Sequence, residues 1–256
     1  MGKSAIILAG GEGKRMKSEK PKALSMVLDK PMLRWVLDSV SDAGIDNVCV
    51  VTGFAKEYIE DYLKEYTKET NNLVETAYQA ERRGTGHAVM MCRDFLCRNT
   101  GDVVVLNGDA PFLDPETIAQ AYELHKLKNS GALVISAKVD DPFGYGRIVR
   151  NDSGDVAMIV EQKDATQEQR LINEVNSGCY WFDTAALLNV LDMLTNTNAS
   201  GEYYLTDTLE LIMKSGRNVQ AYTAKSSDTV LGANDPEQLK ELNRIAAKRI
   251  ESINKI

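Results

Sequence analysis

Short, continuous apolar runs that alternate with amphipathic segments constrain this chain more than any other feature. Residues 4–9, 46–52, 73–77 and 102–107 read as strands, and residues 31–43, 56–69 and 85–97 as the helices between them. Runs such as Val103-Val104-Val105-Leu106 are apolar throughout rather than alternating. Strands of that kind are buried on both faces, so the pattern predicts a mostly parallel sheet with helices on both sides. Over 31–43, Met32, Leu33, Val36, Leu37 and Val40 share one helical face, with Pro31 at the first turn and Gly44 at the end.

The second half reads as mixed α/β. Asp114-Pro115-Glu116 opens a helix over 114–129, a capping residue followed by proline at the first helical position. A strand over 131–138 follows, then a hairpin-like pair at 147–150 and 156–161 about Asn151-Asp152-Ser153-Gly154. A strand over 178–183, helices over 184–194 and 205–214, a strand near 218–223 and a helix over 235–254 complete the chain. The expectation is a single α/β domain with a small mixed-sheet elaboration.

Apolar residues make up 43% of the 256 residues and charged residues 26%, ordinary values for a globular protein. The net charge of −7 argues against a nucleic-acid partner, so any cationic function is local. Cys49, Cys92, Cys97 and Cys179 form no Cys-x-x-Cys pair, and only His87 and His125 could complete a zinc site. Reduced, mostly buried thiols in a cytoplasmic protein are the favoured reading, with Cys92 and Cys97 as metal ligands the lesser one. No run is long enough to cross a bilayer, and no membrane partner is expected.

Ala9-Gly10-Gly11-Glu12-Gly13-Lys14-Arg15-Met16 follows the first strand directly. Residues without bulk let backbone N–H groups approach a ligand, and such a concave set of donors suits an anion. With Lys14, Arg15, Lys20 and Lys22 nearby, the loop suggests a di- or triphosphate. It matches neither the P-loop nor the dinucleotide fingerprint, and an ordinary strand-to-helix connection is the plain alternative. Asn107-Gly108-Asp109 puts a carboxylate at a strand's carboxyl end, a candidate Mg²⁺ ligand or a simple turn aspartate. Gln79 offers an amide suited to a pyrimidine edge, and Gly84 and Gly86 allow close backbone approach. His87, at a helix start, is read as structural. Gly144-Tyr145-Gly146-Arg147-Ile148, Glu161-Gln162-Lys163-Asp164-Ala165 and Asn176-Ser177-Gly178 read as loops with sugar-binding chemistry, each also explicable as turn chemistry.

Together with Lys20-Pro21-Lys22, Gly201-Glu202-Tyr203-Tyr204-Leu205-Thr206-Asp207 and Asn234, these motifs run in matching order through nearly the whole chain. They resemble the nucleotidyltransferase half of bacterial bifunctional UDP-N-acetylglucosamine pyrophosphorylase/glucosamine-1-phosphate acetyltransferases. The resemblance implies a Rossmann-like nucleotidyltransferase fold over 1–256. Residues 1–112 would form a nucleotide-binding half, 113–234 a sugar-binding half and 235–256 a closing helix. It also implies Mg²⁺-dependent formation of UDP-N-acetylglucosamine and pyrophosphate from UTP and N-acetylglucosamine 1-phosphate, in the cytoplasm, for the cell envelope.

By the same resemblance Arg15 and Lys22 would neutralise phosphates. Leu8, Ala9, Gly10, Gly11, Gln79, Gly84, Thr85, Asn107 and Gly108 would contact the nucleotide. Gly146, Glu161 and Asn176 would hold the sugar, and Asp109 and Asn234 would bind Mg²⁺. Three positions depart from the family. Asn107 stands where tyrosine is frequent, Arg82 replaces a neutral amide, and Gly10 replaces a common alanine. The sequence stops at Ile256 after a helix, so no hexapeptide-repeat acetyltransferase domain is expected; no oligomeric state follows. The same chemistry on glucose or N-acetylgalactosamine 1-phosphate, or a non-catalytic nucleotide-sugar sensor, are the alternatives.

Overall fold

The runs Ala5-Ile6-Ile7, Val48-Cys49-Val50-Val51 and Val103-Val104-Val105-Leu106 are all buried and lie side by side in one nine-stranded sheet. The computed structural model describes residues 2–16 and 18–253, apart from the side chains of Lys14, Ser252 and Ile253. The last three residues of the expected helix 235–256 lie outside the described residues.

In chain order, β1 (Gly2–Leu8) leads to a short hairpin, β2 (Met26–Val27) and β3 (Lys30–Pro31), and then to α1 (Met32–Asp42). β4 (Asn47–Thr52), α2 (Lys56–Thr70) and β5 (Val74–Tyr78) follow. Next come α3 (Thr85–Met90), α4 (Arg93–Arg98), β6 (Gly101–Asn107), α5 (Pro115–Leu127) and β7 (Ala132–Lys138). β8 (Arg147–Arg150) and β9 (Val156–Val160) form the expected hairpin. α6 (Gln167–Arg170), β10 (Glu174–Asp183), α7 (Thr184–Leu191), α8 (Asp207–Lys214), β11 (Val219–Thr223) and α9 (Pro236–Ile253) close the order.

The strand order is β11-β7-β10-β6-β1-β4-β5. Along this order pairs are parallel except those of β10, which runs against both β6 and β7. Alternate residues divide between two cores, one per face. Ile6, Val103 and Val105 pack with Val89, Leu96, Leu187 and Leu209 of α3, α4, α7 and α8. Ala5, Ile7, Val104 and Leu106 pack with Leu33, Val36, Ile59 and Ile118 of α1, α2 and α5. The sheet is covered on both faces, as its continuous apolar strands predict.

Several boundaries differ from the sequence reading, and the helix expected over 184–194 ends at Leu191. The helix over 85–97 breaks at Met91 and Cys92. Bonds from Met91 N to Ala88 O (3.2 Å) and from Cys92 N to Val89 O (2.9 Å) tighten the turn there. No glycine or proline marks the break, and Val89, Cys92, Phe95 and Leu96 all stay buried across it. The strand expected over 178–183 begins at Glu174, so Asn176-Ser177-Gly178 is a bulge within β10 and not a loop. Gly178 has φ +77°, which lets the chain take up the two extra residues, 177 and 178, without strain. The helix over 205–214 starts two residues late, at Asp207.

Asp114 caps α5 by accepting from Thr117 N at 2.7 Å, and a buried charge fastens the same helix to the sheet. Asp102, at the amino end of β6, is 2% exposed. His125 Nε2 lies 3.1 Å from its Oδ1, and Lys126 Nζ donates to Oδ2 at 2.9 Å. Burial pushes the Asp102 carboxyl up, but the hydrogen bonds from His125 and Lys126 outweigh it and hold the group below its ordinary value. A lowered carboxyl contributes stability above its unfolded pKa and loses it as pH falls through the folded one. Asp102→Ala strands the buried His125 and is expected to cost about 1–3 kcal/mol of unfolding free energy at pH 7 by urea titration. The deficit should shrink in acid; a pH-independent deficit would contradict this account.

Candidate active site

The β1–β6 register sets the site. Leu8 pairs with Asn107, so the loops after β1 and β6 leave the sheet side by side. Ala9 N donates to Val51 O, and Gly108 N to Leu8 O, both at 2.9 Å. Among the described residues the N–H groups of Gly10 and Gly11 have no protein partner. Gly10 runs against Gly53 at the end of β4, where a Cβ on Gly53 would stand 2.6 Å from Gly10 O. Two glycines thus let the β1 and β4 loops touch.

The cleft above these strand ends has two lobes of about 350 and 450 Å³, sizes typical of small-molecule sites. Leu8, Thr85, Asn107 and Asp109 line both, so the lobes meet there. Ala9, Gly10, Gly11, Lys22, Gln79, Arg82 and Gly84 line the smaller lobe. Arg15, Gly146, Glu161, Asn176 and Asn234 line the larger one. Of the expected residues, Gly108 alone faces neither lobe. Its N–H is taken by Leu8, and a Cβ there would meet Leu8 O at 3.2 Å, so its contribution is close packing rather than ligand contact.

Gln79 is 5% exposed. Its Nε2 donates to Gly84 O at 3.0 Å and lies 3.1 Å from His87 Nδ1. Burial, and then Arg83, hold the His87 pKa below the usual range, so a neutral ring is favoured that can accept at Nδ1. His87 therefore orients the Gln79 amide, a role its structural reading did not include. The Gly84 loop is fastened from outside by 203–205. Tyr203 N donates to Arg83 O and Gly86 N to Tyr203 O, both at 2.8 Å, and Leu205 N donates to Thr85 Oγ1 at 3.0 Å. Gly84 has φ +108°, and a Cβ there would stand 2.6 Å from Tyr203 O. Arg82 pairs with Glu12 at 2.9 Å, tying this loop to the glycine loop.

In the larger lobe the bulge in β10 aims Asn176. Its Oδ1 accepts from Gly178 N at 2.9 Å and its Nδ2 donates to Tyr180 Oη at 2.6 Å. Gly146 O accepts from Asn176 N at 2.9 Å. A Cβ on Gly146 would lie 3.3 Å from Glu161 Oε1, so this glycine leaves the carboxylate its space. Burial raises the Glu161 pKa, and Asp164 and Asp207 add to the effect. Phe143, 76% exposed, stands at the rim.

Where the lobes meet, the Lys22 ammonium forms an ion pair with Asp109 Oδ2 and donates to Asn234 Oδ1 at 2.9 Å. Gly232 runs close against the Asp109 backbone, where a Cβ would stand 2.9 Å from Asp109 O. Sequence reasoning missed Gly53, Gly232, Tyr180 and the fastening role of 203–205. Only Gly53 carried a local signal, as the small residue after a strand end.

Cys49, Cys92 and Cys179 are buried and Cys97 is exposed. Among the described residues no three His, Cys, Asp or Glu side chains converge as a metal site, and no helix is long and apolar enough to cross a membrane.

Residues 4–230 match the family model described as nucleotidyl transferase. The chain is 45% identical over 246 residues to the bifunctional protein GlmU of Clostridium botulinum strain 657, covering 96% of this chain and 52% of that protein. It is 40% identical over 250 residues to the bifunctional protein GlmU of Limosilactobacillus reuteri DSM 20016, covering 98% and 53%. The chain thus spans about half the length of the curated relatives it matches. A solved UDP-glucose pyrophosphorylase, in complex with UDP-glucose, shares the fold with a TM-score of 0.79 at 21% identity, over 97% of this chain and 100% of that one. This chain belongs to the nucleotidyl transferase family.

Proposed function

We propose that the chain transfers a uridylyl group from UTP to N-acetylglucosamine 1-phosphate, releasing pyrophosphate. The carrying observation is the two-lobed cleft, with Asp109, Lys22 and Asn234 at its junction. UTP takes the smaller lobe and the sugar phosphate the larger, so the reacting phosphates meet at the junction. Residues 1–112 serve the nucleotide and 113–234 the sugar, within one domain over 1–256. The working compartment is the cytoplasm and the product a cell-envelope precursor.

The acceptor's phosphate oxygen forms a bond to the α-phosphorus of UTP as the bond to pyrophosphate breaks. Such a displacement depends on alignment and charge stabilisation more than on a protein base. The free N–H groups of Gly10 and Gly11 hold phosphate oxygens, with Leu8 and Ala9 beneath the nucleotide. Gln79 accepts from the uracil ring N–H through its oriented amide, and Gly84 and Thr85 frame the base. Arg15 and Lys22 offset the charge on the reacting phosphates. Gly146, Glu161 and Asn176 bind sugar hydroxyl and amide groups, while Asn107 sits between the two substrates.

Asp109 and Asn234 would hold Mg²⁺. Their oxygens face one ammonium, so a carboxylate and an amide oxygen already converge on a single cationic point. Magnesium takes one or two protein ligands and completes its shell with water and phosphate. When bound, the ion would supply positive charge to offset the charge that develops on the reacting phosphates.

Pyrophosphate release with UTP should give the highest kcat/KM on N-acetylglucosamine 1-phosphate, against glucose and N-acetylgalactosamine 1-phosphates. A higher value on either competitor makes that sugar the substrate, and no turnover on any of them removes the reading. Asp109→Ala should lower kcat by about 10²–10³-fold, the span for losing one electrostatic stabiliser. Binding of UDP-N-acetylglucosamine without a change in rate would point instead to a sensor.

Because the Glu161 pKa is raised, its carboxylate is lost at a higher pH than for an exposed glutamate. Affinity for UDP-N-acetylglucosamine, whose diphosphate does not titrate there, should fall as pH drops through a window above the ordinary glutamate value of about 4.3. Glu161→Gln should bind about five- to tenfold more weakly at pH 8, having lost a charge-assisted hydrogen bond. Its affinity should stay flat with pH. A slope retained in that variant assigns the titration elsewhere.

A further inference from the structure

We propose that Lys22 is an internal cation that keeps a divalent ion out of the Asp109–Asn234 pair until a nucleotide's phosphates draw its ammonium away. The inference rests on the transferase reading and concerns how that site is loaded. Lys22 Nζ pairs with Asp109 Oδ2 and donates to Asn234 Oδ1 at 2.9 Å, so one ammonium faces both oxygen donors assigned to the metal. The side chains are only 18% and 20% exposed for Lys22 and Asp109, so water screens this pair poorly. A divalent ion on the same two oxygens would stand within a few ångströms of the ammonium. Like charges that close repel strongly in a partly buried setting, so the two cations exclude each other.

Lys22 is also placed to leave. Its stem runs along the glycine loop, where a Cβ on Gly13 would meet Lys22 Cβ at 2.8 Å and one on Gly11 would meet Lys22 Cε at 4.0 Å. Gly13 has φ +62° and so holds the loop open for that stem. Lys22 lines the lobe that contains Gly10 and Gly11, although its head reaches the junction. Phosphates seated on the glycine loop offer the ammonium new partners along its own length. The move exchanges one set of anionic oxygens for another and vacates Asp109 and Asn234 together. The pair alone is also a thin donor set for a six-coordinate ion, so the same phosphates that remove Lys22 complete the shell. Lysine suits this exchange because its charge is compact and its stem flexible.

The coupling is reciprocal: nucleotide must favour metal by the factor by which metal favours nucleotide. Mn²⁺ titrated into the nucleotide-free protein, followed by the electron paramagnetic resonance of the free ion, reads it directly. Lys22→Gln and Lys22→Met, checked for folding by circular dichroism, should bind Mn²⁺ at least about tenfold more tightly than the unsubstituted chain, within the usual span of coupling between sites. Adding Asp109→Asn should abolish the gain. Lys22→Arg, which keeps the charge, should stay weak. Equal affinity in the unsubstituted and Lys22→Gln proteins overturns the proposal, as does a gain that survives Asp109→Asn. Tight stoichiometric Mn²⁺ binding by the unsubstituted chain overturns it without any variant. The titration needs no turnover, so its failure leaves the transferase reading standing, and failure of the sugar-phosphate assay leaves the titration interpretable.

Discussion

The parallel pairing of β1 with β6, in the register that sets Leu8 opposite Asn107, is the constraint on which the site depends. It brings a loop rich in free N–H groups beside a loop that carries a carboxylate. Slipping by one residue would turn every side chain of the strand over, exchanging Ile6 and Ile7 between the two cores. Burial of both faces therefore holds the register, and the register holds the glycine loop against Asp109. The apolar strand interiors fix polar geometry several residues away from them.

Much of this was legible because parallel sheets announce themselves as continuous apolar runs. The glycine loop, Gln79 and Asp109 could be picked out as residue types suited to anions, amides and cations, whereas Asn234 emerged only through the family resemblance. What could not be read was which side chains hold others in place. His87 looked like a structural histidine, yet it orients Gln79, a contact across eight residues that no periodicity reports. The segment 203–205 stood out only as part of a family motif, yet it supplies backbone partners to 83–86. Asn176-Ser177-Gly178 reads as loop chemistry because a strand bulge uses the same residues as a turn. The break after Met90 left no trace, since the buried residues keep helical spacing across it.

The two lobes are built by different means. The smaller takes much of its wall from backbone and small residues beside a sheet edge and a pinned loop, with Lys22, Gln79 and Arg82 as its long side chains. The larger uses side chains whose polar atoms are already engaged. Asn176 is locked between Gly178 and Tyr180, and Glu161 sits where burial disfavours its charge. A carboxylate kept in that condition gains more from a well-placed donor than an exposed one does, because water competes less for it. Selectivity among sugars can therefore reside in a few preset groups.

Asn107 shows how tightly the junction is composed. It lines both lobes, and a Cβ on Gly178 would stand 2.1 Å from its Nδ2. Residue 178 has to lack a side chain for this Asn107 placement, and it also needs the positive φ that makes the bulge. The bulge in turn aims Asn176. The residue that departs from the resembled family is thus packed against the glycine that shapes the neighbouring sugar lobe. A larger ring at 107 would have to pass that glycine by another path, so substitution there acts on the β10 bulge as well as on any ligand. The junction behaves as one packed unit, in which Asn107, Gly178 and Asn176 share a single backbone solution.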